Sequence, residues 1–254
     1  MLVLYTDFGF QGPYVGQMKA VLHMGAPGVP VVDLMHDAPP FDPQSSAYLL
    51  AALVGDLKPG AVVLAVVDPG VGTDRRALVV EADGCWFIGP DNGLFALTVR
   101  RAAVARAWEI TWRPEKLSAS FHGRDLFAPV AAEIAVDDIF DDARKGRQIA
   151  LQEIDRPDWP DELERIVYVD GYGNAISGMR AENLSPNHRI LVHNVEIKGE
   201  KTFASVPPDS LFWYANSSGL VEIACNRGRA DRRLGLSVGT GVRVVGNQSV
   251  TAVT

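Results

Sequence analysis

The first half of the chain alternates short apolar runs with longer stretches whose apolar residues recur at helical spacing. The runs lie at residues 2–5, 29–34, 61–67, 77–81 and 85–88. They are rich in Val, Leu and Ile and lack strict alternation, as strands do when a parallel sheet is covered by helices on both faces. Between the second and third runs the pattern predicts a helix. Asp42 can cap it and Pro43 suits its first position, while Ala47, Leu50, Ala51 and Val54 share one face before Lys58-Pro59-Gly60 ends it. A strand, helix, strand unit of this length implies a right-handed parallel crossover. Residues 1–150 are therefore expected to form an α/β domain with a mostly parallel sheet.

From residue 136 the rhythm breaks into Asp-Asp pairs, a basic stretch at 144–147, and Arg156-Pro157-Asp158-Trp159-Pro160-Asp161-Glu162. This polar, Pro-broken connection is expected to contain the domain boundary, with a linker at 151–163. Beyond it, short strand-like runs at 165–169, 189–192, 211–215, 220–224 and 241–245 are separated by Gly, Asn, Ser and Pro. Spacings of ~8 to 12 residues predict a smaller antiparallel β domain, 164–254.

Composition narrows the class of protein. With 254 residues and 47% hydrophobic content the chain can bury a full core. The net charge of −7 and the absence of long Lys/Arg runs argue against nucleic acid as a partner. Met1-Leu2-Val3-Leu4-Tyr5-Thr6-Asp7 has no basic region ahead of its apolar stretch, unlike a signal peptide. No apolar run reaches the roughly 18 residues that span a bilayer, so no membrane association is expected. The two cysteines, Cys85 and Cys225, lie in apolar stretches without metal-ligand or redox spacing. A reducing compartment, the cytoplasm, is the expected location.

The candidate chemistry lies in loops that begin where apolar strands stop. Thr6-Asp7-Phe8-Gly9, Asp68-Pro69-Gly70-Val71-Gly72-Thr73 and Gly89-Pro90-Asp91-Asn92-Gly93 each place an Asp beside Gly or Pro. In a parallel sheet such loops share the carboxyl edge, where ligands bind. Any one of them could equally be an ordinary tight turn. Asp68 is the most informative, because it ends an apolar run buried on both faces and needs a partner there. Arg75 and Arg76 arrive just beyond the turn and either could return a guanidinium to it. His122 stands between Phe121 and Gly123, whereas His23, His36, His188 and His193 have no comparable setting and read as structural. Motifs for metal, nucleoside triphosphate, dinucleotide and serine-hydrolase chemistry are absent, so no cofactor and no metal are expected. In the second domain Asp170-Gly171-Tyr172-Gly173-Asn174 and Asn216-Ser217-Ser218-Gly219-Leu220-Val221-Glu222 also read as plain β-turn sequences.

Taken in order, Thr6-Asp7-Phe8-Gly9, Asp68-Pro69-Gly70-Val71-Gly72-Thr73-Asp74-Arg75-Arg76, Pro90-Asp91-Asn92-Gly93, Phe121-His122-Gly123-Arg124-Asp125, Asp170-Gly171-Tyr172-Gly173-Asn174 and Asn216-Ser217-Ser218-Gly219 resemble the S-adenosyl-L-methionine hydroxide adenosyltransferases, relatives of fluorinases and chlorinases. The resemblance implies hydrolysis of S-adenosyl-L-methionine to adenosine and L-methionine. It also implies a β-barrel-like second domain, and a homotrimer whose active sites lie between the first domain of one subunit and the second domain of its neighbour.

By this resemblance Asp68, Arg75 and His122 are the catalytic set. Asp68 and His122 would accept a hydrogen bond or proton from water, and Arg75 would favour its hydroxide character. Asp7 would take the ribose hydroxyls, Phe8, Phe41 and Phe121 would wall the adenosyl group, and Tyr172 would stack on adenine. Asp170 would meet the methionine ammonium, and Asn174, Ser217, Ser218 and Glu222 the remaining polar edges. The halogenating relatives carry Tyr at the position of Asp68, Thr at Val71, a halide-binding Ser at Gly123 and Arg at Ser218, and an additional loop. An anionic Asp68 would repel halide. The alternatives are a halide-using enzyme on the same scaffold and a non-catalytic binder of adenosine or S-adenosyl-L-methionine.

Overall fold

The computed structural model describes residues 1–185 and 187–246; the end of the expected second domain, residues 247–254, lies outside them. The chain divides into two compact units, 1–158 and 159–254.

The first unit runs β1 (Leu2–Thr6), α1 (Tyr14–Gly25), β2 (Val31–Met35), α2 (Pro43–Leu53), β3 (Val62–Val66), β4 (Ala77–Ala82), β5 (Cys85–Pro90), α3 (Ala96–Arg101), β6 (Ala105–Ile110), α4 (Ala128–Asp137), α5 (Asp142–Lys145) and β7 (Gly146–Ile149). Its strands form one seven-stranded sheet in the order β2-β1-β3-β5-β4-β6-β7. β2, β1, β3 and β5 are mutually parallel, with Leu4 opposite Leu64 and Leu64 opposite Ile88. β4, β6 and β7 are joined antiparallel, so the sheet is mixed, with its parallel part at the core. The expected parallel rhythm fails at β4 because only Asp83 and Gly84 separate it from β5. Both have positive φ, +48° and +79°, the geometry of a two-residue hairpin that no parallel crossover could replace.

Leu2, Leu4, Val62, Leu64, Val66 and Ile88 pack against Met18 and Leu22 of α1 and Val130 and Ile134 of α4. Alternate strand residues face the other side, where Tyr5 donates its hydroxyl to the Ser46 carbonyl of α2 at 3.1 Å. The expected cap of α2 is present: Asp42 Oδ1 accepts from Ser45 N at 2.9 Å. The polar stretch from 136 is structured up to the unit boundary, since β7 pairs with β6, and Glu153 and Asp155 bind Arg76 and Arg100.

The second unit contains β8 (Leu163–Val169), β9 (Ala175–Arg180), β10 (Arg189–Val192), β11 (Val195–Lys198), β12 (Leu211–Ala215), β13 (Leu220–Cys225), α6 (Ala230–Leu234) and β14 (Arg243–Val245). They form two antiparallel sheets, β12-β13-β9-β8 and β11-β10-β14. Ile166, Met179, Ile190, Ile197, Trp213, Val221 and Ile223 fill the core they share. The sheets touch at the isolated bridges of Arg165 with Gly241 and Gly199 with Trp213. These are single bridges rather than ladders, so among the described residues no closed barrel forms. No helix among the described residues is long and apolar enough to cross a membrane.

Candidate active site

β1, β3 and β5 run in one direction, so the loops after them, carrying Asp7, Asp68 and Asp91, share the carboxyl edge of the sheet. Asp68 follows the last buried residues of β3; its side chain is only 5% exposed and that of Arg75 9%. Arg75 Nε donates to Asp68 Oδ1 at 2.7 Å, and a terminal guanidinium nitrogen donates to Oδ2. This bidentate geometry supplies the partner that a buried carboxylate needs. The structure also separates the two arginines, because Arg76 turns to Asp91 and Glu153, at 2.7 Å each.

His122 reaches the pair from a segment 47 positions away, its Nδ1 3.1 Å from the same terminal nitrogen of Arg75. Gly72 makes this approach possible. It has φ +81°, and a Cβ there would stand 2.6 Å from the Ala119 carbonyl oxygen. A π-helical turn, Gly123–Phe127, follows His122 and leads into α4, a feature frequent at functional sites. A guanidinium can only donate, so His122 Nδ1 must accept and the ring proton sits on Nε2. Burial, and next the charge of Arg75, hold the imidazole below its ordinary pKa and keep it neutral at pH 7. The free ring nitrogen is thus a donor, which differs from the proton-accepting role expected for it.

Asp7 Oδ2 accepts from Phe41 N at 3.1 Å. Phe41 is held at φ +58°, a strained value for a non-glycine residue, with its ring 78% exposed. The Asp7 carboxyl titrates above its ordinary value because burial outweighs the hydrogen bond from Phe41 N, and the charge of Asp68 adds a smaller push in the same direction. Phe8 and Phe121 meet at 6.0 Å between centroids, and Tyr14 packs on both, at 6.0 and 5.4 Å. A Cβ on Gly123 would stand 3.2 Å from Met18 Sδ and 3.4 Å from the Phe121 ring. Tyr14 and Met18 were not singled out from sequence, although Tyr14 stands close behind the Thr6-Asp7-Phe8-Gly9 motif. Asn92, in the Pro90-Asp91-Asn92-Gly93 motif, donates from Nδ2 to the Val67 carbonyl at 2.8 Å and fixes the residue before Asp68.

In the second unit Asp170 organises its own turn. Its Oδ1 accepts from Tyr172 N and Asn174 N, both at 2.9 Å, and Oδ2 from Asn174 Nδ2 at 3.1 Å. Tyr172 is left 81% exposed. Arg229 holds the turn from outside, donating to the Gly171 carbonyl at 2.8 Å while paired with Asp231. Glu222 is buried, and both its oxygens are taken, by Tyr214 Oη at 2.5 Å and Asn216 Nδ2 at 3.0 Å. Burial raises its pKa. Glu222 therefore anchors the Tyr214 and Asn216 side chains within this network. Asn216 Oδ1 accepts from Ser218 N at 3.0 Å and Leu220 N at 2.9 Å, shaping the turn that carries Ser217 and Ser218. A cavity of about 570 Å³ also lies in this unit, lined by Leu184, Lys201 and Trp213 among others, and includes none of these residues. Among the described residues no group of three or more His, Cys, Asp and Glu side chains is placed to hold a metal ion.

Residues 2–143 match the SAM hydroxide adenosyltransferase N-terminal domain and residues 164–243 its C-terminal domain. A protein of Thermus thermophilus named (R)-S-adenosyl-L-methionine hydrolase is 38% identical, over 94% of this chain and 97% of its own length. A fluorinase of Nocardia brasiliensis is more distant, 24% identical over 61% of this chain and 60% of its own. The crystal structure of an uncharacterized conserved protein from Thermotoga maritima superposes with a TM-score of 0.86 at 29% identity, covering 96% of this chain and 99% of that one.

Proposed function

The chain belongs to the S-adenosyl-L-methionine hydroxide adenosyltransferase family, and from that premise we propose that it hydrolyses S-adenosyl-L-methionine to adenosine and L-methionine. The observation that carries this reading is the array of Asp68, Arg75 and His122 at the strand edge. A sulfonium leaves as a neutral thioether, so the protein has mainly to hold one water in line with the C5′–S bond and exclude competing solvent. The water oxygen bonds to C5′, the C5′–S bond breaks with its electron pair on sulfur, and one water proton passes through Asp68 to solvent. Arg75 fixes Asp68 and favours the developing hydroxide. His122, neutral and protonated on Nε2, donates to one lone pair of the water and leaves the other for C5′.

Asp7 takes the ribose hydroxyls, Phe8, Phe41 and Phe121 wall the adenosyl group, and Tyr172 stacks on adenine. Asp170 meets the methionine ammonium; Asn174, Ser217 and Ser218 meet the remaining polar edges, and Glu222 holds Asn216 behind them. The resemblance also supports a barrel-like second domain and a cytoplasmic homotrimer with sites shared between subunits. Halide use is disfavoured by the charge of Asp68 and by the lack of a side-chain donor at Gly123.

The Thermus relative is named for the (R) configuration, so both sulfonium epimers belong in the assay. Incubation in ¹⁸O-labelled water should give methionine and adenosine carrying one label at the 5′ hydroxyl. No turnover of either epimer, or a 5′-halo-5′-deoxyadenosine in comparable yield when chloride or fluoride is added, overturns the reading.

A further inference from the structure

The loop that carries Asp7 is gripped by a histidine outside the candidate site. Thr6 and His36 are both essentially buried, and Thr6 Oγ1 lies 2.8 Å from His36 Nδ1. Thr6 Oγ1 also accepts from Phe8 N at 3.3 Å. On the other side of Asp7 the His36 carbonyl accepts from Gly9 N at 2.6 Å, and the Thr6 carbonyl accepts from Ala38 N at 3.1 Å. One residue thus holds the loop by side chain and main chain, immediately before and after Asp7 and Phe8. The far ring nitrogen, Nε2, stands 3.1 Å from Asp33 Oδ1. Asp33 is in turn bound by Lys19 at 3.0 Å, and Phe10 meets the imidazole edge-on at 5.7 Å.

An apolar side chain would fill this space without burying polar nitrogens, so packing alone does not account for a histidine there. We infer that His36, acting through Thr6, is a positioning residue that aims the Asp7 carboxylate at the ribose hydroxyls. The inference rests on the role given to Asp7 under the proposed function. Asp7 is fixed from the opposite side by Phe41 N, so the clasp at Thr6 and His36 controls the remaining freedom of the loop.

The test compares adenosine with 2′,3′-dideoxyadenosine, binding of each to the full chain being measured by titration calorimetry. In the wild-type protein the ratio of the two affinities reports what Asp7 gains from the hydroxyls. Thr6→Val and His36→Leu should each shrink that ratio by about fivefold to tenfold, the value of one aligned hydrogen bond, and leave dideoxyadenosine binding unchanged. Thr6→Ser should restore the ratio, and Thr6→Val should add nothing in an Asp7→Ala background. Equal weakening of both ligands, or a wild-type ratio in folded Thr6→Val, overturns the inference while leaving the hydrolase reading intact. A wild-type protein that does not distinguish the two ligands removes Asp7 from the ribose, and the inference falls with it.

Discussion

Asp68 and Arg75 hold opposite charges almost out of reach of water, so removing one leaves the other uncompensated. Asp68→Ala therefore mixes a chemical with a structural loss, whereas Asp68→Asn keeps the shape and still accepts from Arg75. Turnover in Asp68→Asn and in His122→Ala is expected to fall about 10²-fold or more, with adenosine affinity retained. Wild-type turnover in either folded variant would sink the assigned roles. The neutrality of His122 sets a pH dependence. Protonation of Nδ1 would set two cations face to face, so kcat/KM should decline on the acid side with a midpoint below ~6.5, the ordinary histidine value. His122→Asn should lack that limb. Stability follows the same sign. Below ~6.5 the unfolded chain takes up the proton that folded His122 still refuses, so stability from this group falls as pH drops through that window. At Gly123 a side chain would press on Met18 Sδ at 3.2 Å, and Gly123→Ser should cost about 1 kcal/mol on urea unfolding. It should not bring chloride or fluoride into the product, because Asp68 keeps its charge; a halogenated nucleoside from this variant would show that residue 123 alone chooses the nucleophile.

The turn between β4 and β5 decides whether the sheet continues parallel or reverses. Gly84 sits there at φ +79°, with a Cβ position 3.0 Å from Pro59 Cβ. Gly84→Ala should cost about 1 to 2 kcal/mol in urea unfolding. Turnover per folded molecule should not change, since this turn lies at the end of β5 opposite Asp91. A loss of turnover at full stability would link the hairpin to the site. The same element shows what the sequence makes legible. The apolar run at 77–81 marks a buried strand in either direction, and only the Asp83-Gly84 dipeptide, a hairpin signal, carries the direction. The cap at Asp42 and the three Asp-bearing loops at one sheet edge were legible, because capping and strand ends follow local rules. β7 was not, since an edge strand spelled Gly146-Arg147-Gln148-Ile149 has no apolar periodicity and exists only by pairing with β6. Nor was the clasp of His36, whose partners Thr6 and Gly9 lie near 30 positions away and leave no local pattern. The resemblance alone put Glu222 at a polar edge of the substrate, and its local sequence does not reveal that Tyr214 and Asn216, from the preceding strand and turn, hydrogen-bond its two oxygens.

At the scale of the whole molecule, the groups assigned to one ligand are divided between the two units. Asp7, Asp68 and His122 belong to the first, and Asp170, Tyr172 and Asn174 to the second. Phe41 and Tyr172 leave large rings exposed, 78% and 81%, which suits surfaces that are covered on assembly. In the proposed ring of three, each head-to-tail contact completes one site from two chains. The arrangement has an arithmetic consequence. Asp68→Ala and Tyr172→Ala subunits are each inactive as pure rings, since every site carries a lesion. After subunit exchange in equal amounts, a site takes its first domain from a Tyr172→Ala chain half the time and its second domain from an Asp68→Ala chain half the time. Such sites carry neither lesion, so about one quarter of wild-type activity should return. Sites confined to single chains would give none, however complete the mixing. Recovery near one quarter, with light scattering reporting trimers, fixes the shared site. Verified exchange without recovery, or an active monomer on dilution, places the whole site within one chain.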